Sequence, residues 1–170
     1  METQFEVAVD ELLAELRGVC DGALPSVERE RHLAKLTFPP APGAEYAFVA
    51  YVYEDGNALE VGARPLEGPA EALFWGRTFE LTDYSSFQEM LGHFKRDLLA
   101  VLTNDTVIVQ FKGLFFWSFE CEVLSGSETI LIPGHSTLRP ARAPSCRGRR
   151  RTYRGPALCR RPDRVAHRDG

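Results

Sequence analysis

At 170 residues, with 44% apolar and 26% charged side chains, the chain has the size and composition of a single globular domain. Its net charge of −4 hides a division: Met1 to Ile130 carries 9 Lys and Arg against 22 Asp and Glu, net −13, while Leu131 to Gly170 holds 11 Arg, no Lys and 2 Asp, net +9. The acidic part repels phosphates, and the longest apolar runs, YAFVAYVY and GLFFW, fall far short of the roughly 20 residues of a membrane helix, so neither nucleic acid nor a membrane is an expected partner.

The N-terminus, METQFEVAVDELLAELRG, is acidic where an export signal is basic, which points to the cytoplasm. Phe5, Val9, Leu12, Leu13, Leu16 and Val19 repeat with a period near 3.6 and predict an amphipathic helix that ends at CDG. In the stretch that follows, Ser26 is a candidate cap for a short helical turn. Leu36 and Phe38 alternate with Lys35 and Thr37 as a short strand before the prolines.

The run from Tyr46 to Tyr53, the Asp55-Gly56 pair and the alternation of Leu59, Val61 and Ala63 predict a β-hairpin. ALFWGRTFEL predicts another strand, with Trp75, Arg77 and Phe79 on one side and Phe74, Thr78 and Glu80 on the other. The period then changes. Ser85 and Gln88 suggest a capping box, and Phe87, Met90, Leu91, Phe94, Leu98 and Leu102 form the stripe of a second helix. TVIVQFKGLFFWSFECEV predicts a second hairpin turning at Lys112-Gly113. Phe115, Trp117, Phe119, Cys121 and Val123 point to the core, and Ser118, Glu120 and Glu122 to water. The expected fold is α+β: an antiparallel sheet of five or six strands, in the order α-β-β-β-α-β-β with room for a short extra strand, and two helices on one face.

The pattern stops near Ile132-Pro133, and beyond it periodicity is absent and Lys, Glu, Phe, Trp, Gln, Asn and Met vanish together. A basic nucleic-acid arm, a disordered tail and out-of-frame translation of a GC-rich gene all produce Arg-rich text such as RGRRRTYR. The simultaneous loss of seven residue types favours the last. The expected division is therefore an acidic domain, 1–130, and a disordered Arg/Pro-rich tail, 131–170.

No nucleotide-binding, nucleophile-elbow or zinc-protease motif is present, so neither catalysis nor a cofactor is expected. Glu89, His93 and Asp97 follow one another at i, i+4 and i+8. Such a stripe could hold a metal, but it lies opposite the apolar face and reads as solvated. Cys20 and Cys121 lie on apolar faces and are expected to be buried free thiols. The two acids beside Cys121 make it a poor nucleophile, and Cys146 and Cys159 form no CxxC pair.

Two functional classes remain. The first is a non-enzymatic acidic binding domain, an inhibitor of immunity type or a clamp of secretion-chaperone type, that docks on a basic protein or on a second copy of itself through Trp75, Phe116, Glu120 and Glu122. The second is a small ligand-binding domain or enzyme with a cleft around Arg64, Arg77 and Glu80, because an inward arginine needs a carboxylate or an anionic ligand.

Overall fold

The computed structural model describes residues 4–20, 23–66, 75–112, 116–138 and 151–159. Among these residues two α-helices, α1 (Gln4–Val19) and α2 (Phe87–Thr103), accompany nine strands in two antiparallel sheets. The class is α+β, as the sequence implies, but the strands divide between two sheets where a single one was expected.

The first sheet is a meander of β1 (Ser26–Glu30), β2 (Leu33–Thr37), β3 (Tyr46–Tyr53), β4 (Ala58–Pro65) and β5 (Trp75–Glu80), paired in that order. The second has the order β8-β7-β6-β9, with β6 (Asp105–Lys112), β7 (Phe116–Ser125), β8 (Glu128–Leu138) and β9 (Arg151–Gly155). Ser26 caps no helical turn. It opens β1, whose Ser-Val-Glu-Arg-Glu sequence is exposed except at Val27. Charges suit such an edge strand because they discourage further pairing, and they also erase the apolar alternation that would announce it.

Both helices bury the faces their periodicity marks. Phe5, Val9, Leu12 and Leu16 of α1 and Met90, Leu91, Phe94, Leu98, Val101 and Leu102 of α2 enter one continuous core. The cap of α2 lies one residue later than expected. Ser86 accepts a hydrogen bond from the Glu89 backbone, and the Glu89 carboxylate accepts from the Ser85 backbone N–H and hydroxyl. Those bonds hold the Glu89 carboxyl below its ordinary range.

The same core takes Ala34, Leu36, Phe48, Ala50, Val52, Leu59, Val61, Ala63 and Phe79 from the first sheet. From the second it takes Ile108, Phe119, Cys121, Val123 and Ile132. The sheets meet where Trp75 of β5 lies against Gly134 of β8. A Cβ at Gly134 would overlap the indole ring, so the contact requires glycine.

The expected boundary after Ile130 falls inside β8. The β7–β8 hairpin turns at Gly126-Ser127, with Gly126 at φ 61°, and pairing continues through Ile132, which is buried, to Leu138. The segment 151–159 adds β9 against β6, and its last residue, Cys159, forms a disulfide with Cys20 at the end of α1. Residues 139–150 and 160–170 of the expected tail lie outside the described residues. Of the two expected free thiols, Cys20 is therefore bridged, and Cys121 is free and buried.

Candidate functional site

Alternation in β4 and β5 separates the three residues of the expected cleft. Val61 pairs with Arg77, Leu59 with Phe79 and Ala63 with Trp75, all facing the helices. Arg64 and Glu80 alternate to the other face, so no cleft gathers Arg64, Arg77 and Glu80. Arg77 instead reaches Asp97 of α2, with 2.6 Å between Nη1 and Oδ2, and its guanidinium lies 4.8 Å above the Phe79 ring centre. Arg96 Nε donates to the other Asp97 oxygen at 3.0 Å.

Asp97 is 5% exposed, which corrects the solvated stripe expected for Glu89, His93 and Asp97. The helix turns Asp97 onto the margin of its apolar face, where the inward Arg77 compensates the buried carboxylate. Among the described residues no group of His, Cys, Asp and Glu side chains could hold a metal ion. Cys121 is also unsuited to nucleophilic chemistry, since burial and the neighbouring Glu122 push its thiol far above the ordinary range.

Trp75 was expected on an exposed aromatic patch. It is 1% exposed and serves as the joint between the sheets. Phe116 opens β7, and its side chain lies outside what is described, as do the side chains of Trp117 and all of Phe74 and Phe115. Glu120 and Glu122 are half-buried on the face of β7 opposite Phe119, Cys121 and Val123, which are buried.

That face has a composition only tertiary structure reveals. Glu122 is flanked by Leu131 of β8 and Val107 of β6, and Glu120 by Pro133 and Val109. Leu124 lies across from Thr129 and Asp105, and Phe111 across from Ser118. Leu124, Leu131 and Phe111 are 40%, 53% and 39% exposed. Neighbouring strands are about 4.8 Å apart, so these apolar side chains interleave with the two glutamates on one surface. Leu131 is missed by the sequence because the expected second hairpin ends at Val123 and the expected domain at Ile130. Ser-Gly-Ser between two apolar runs was the available hairpin signal.

Beside this surface a groove of about 780 Å³ opens at the start of β6, lined by Asp105, Val107, Glu122 and Leu124 on one side and Thr152, Arg154 and Pro156 on the other. It shares Glu122 and Leu124 with the mixed face. Asp105 accepts a hydrogen bond from the Ala157 backbone at 2.9 Å, and the Arg154 backbone donates to the Glu45 carboxylate at 2.6 Å. These bonds fasten the far wall. Comparison with known proteins finds no matching family model, no significantly similar curated protein and no significantly similar solved structure.

Proposed function

We propose that the chain is a non-enzymatic binding domain whose outer face on the second sheet docks a basic protein. The observation that carries this reading is the interleaving of exposed Leu124, Leu131 and Phe111 with Glu120 and Glu122. Apolar side chains supply the area that a partner removes from water, and carboxylates select its charge and speed its approach. The −13 balance of the first 130 residues supports the same sign of partner. An inhibitor of a basic toxin and a clamp for a basic protein segment both fit this chemistry. The ion pair of Arg77 with Asp97 favours this reading over a ligand cleft at Arg77.

The test is capture from an extract of the source cell at low salt, with the wild-type chain and with Glu120→Lys/Glu122→Lys. The wild type should retain basic proteins that are released as ionic strength rises past the range where the Debye length drops below about 10 Å. The double variant should lose them and keep its fold, because both positions face away from the core. Equal capture by the two proteins would overturn the proposal.

A further inference from the structure

The segment 151–159 is attached to β6, to α2 and to Glu45 in the bend before β3. Strand β9 pairs with β6 from Thr106–Gly155 to Gln110–Arg151. The Tyr46 hydroxyl lies 2.6 Å from Thr106 Oγ1, which donates in turn to the Gly155 carbonyl at 3.2 Å, and the Cys159 backbone donates to the Leu102 carbonyl at 2.8 Å. The apolar content of the segment is small. Thr152, Arg154 and Pro156 are exposed, Tyr153 and Leu158 half-buried, and the buried Gly155 has no side chain. Edge strands that bury so little tend to open locally. What distinguishes this one is its end, where Cys159 is covalently joined to Cys20 across 139 residues of sequence.

We propose that the Cys20–Cys159 disulfide is a redox latch that holds this segment closed over the β6 edge, and that reduction releases the segment while the rest of the fold persists. The chemistry is thiol–disulfide exchange with a dithiol. One reductant thiolate attacks a sulfur of the bridge, forming a mixed disulfide and freeing one cysteine as its thiolate. The second reductant thiol then displaces the other cysteine. Two electrons and two protons pass to the protein, giving two thiols, and the reductant leaves as its own disulfide.

Cys20 and Cys159 are 1% and 2% exposed, so attack requires the segment to fray first, which keeps the latch shut against brief reducing exposure. Release would expose the β6 edge to pairing by another strand. It would also remove the Thr152–Arg154–Pro156 wall of the groove beside Glu122 and Leu124. Only this last consequence, control of the docking face, rests on the function proposed above.

Hydrogen exchange followed by mass spectrometry on the full chain tests the latch without any partner. The oxidised protein is compared with protein reduced by dithiothreitol, and with Cys20→Ala/Cys159→Ala. Alkylation under denaturing conditions checks the state of the bridge in each. Exchange across 152–159 and the facing 106–110 amides should accelerate at least tenfold in the reduced protein and in the variant, while 119–123 and α2 stay protected. Three results would each overturn the proposal: unchanged exchange in the variant, simultaneous loss of protection in α2 and β7, or absence of the bridge from the oxidised protein. None depends on Glu120 or Glu122, so failure of the latch and failure of the docking face are separable.

Discussion

The two sheets obey the same antiparallel alternation and contribute to the same core, yet their outer faces are finished differently. On the first sheet the outward row Glu28, Lys35, Tyr51, Glu60 and Thr78 crosses all five strands, with a Lys35–Glu28 ion pair at 3.3 Å. Among the described residues, none of its strands carries an exposed large apolar side chain. The second sheet carries Phe111, Leu124, Ile130 and Leu131. Ile130 shares the inward face of Val123 at the sheet's end, and the other three point outward. Alternation needs polar residues outside, and the first sheet supplies them. The second sheet departs from that rule at Phe111, Leu124 and Leu131, the exposed apolar residues on which the proposed docking face rests.

The largest effect should come at the joint between the sheets. Trp75→Ala removes the ring that fills the space against Gly134 and Phe48, and should cost about 3–5 kcal/mol in urea denaturation. A loss below about 1 kcal/mol would mean that the sheets are not coupled through this contact, and the comparison would be between two independent units.

A smaller loss should follow Asp97→Asn, on the helix-covered side of the first sheet. The half-buried Arg77 keeps its charge and loses its counter-charge, but its side chain is 28% exposed, so water compensates in part. Urea midpoints should report about 1–2 kcal/mol. A neutral result would show that Arg77 is solvated in place and is available to an anionic ligand after all.

The smallest effect should lie on the outer face of the second sheet. Leu131→Thr places a β-branched residue in β8 and removes an apolar side chain that is 53% exposed, so stability should stay within about 0.5 kcal/mol of wild type. A loss near 2 kcal/mol would mean that Leu131 is packed in solution and would erase the contrast between the two faces.

Much of the fold was legible because periodicity is a local property. The stripes of α1 and α2, the β3–β4 hairpin at Asp55-Gly56 and the inward side of β7 all follow from residue spacing. Reading stopped where that signal weakens. Strand β1 has one apolar residue, β8 carries Pro133 and Gly134 at the joint, and β9 holds only Tyr153 as a large apolar side chain. Their strand character comes from neighbours that supply the hydrogen bonds. Of the candidate site, Glu120 and Glu122 were legible from alternation alone. Leu131 and Phe111 were not, because their place beside those acids depends on which strands pair and in what register.

The sequence by itself determined which face turns inward in α1, α2, β3, β4 and β7, since hydrophobic burial acts on a pattern already written in the spacing of residues. Tertiary structure alone decided the division into two sheets, the match of Arg77 with Asp97, the burial of Trp75 and the union of Cys20 with Cys159. Each joins groups far apart in sequence. Their proximity is a property of the packed chain as a whole, set when many weak contacts are satisfied together, and no local window of residues contains it.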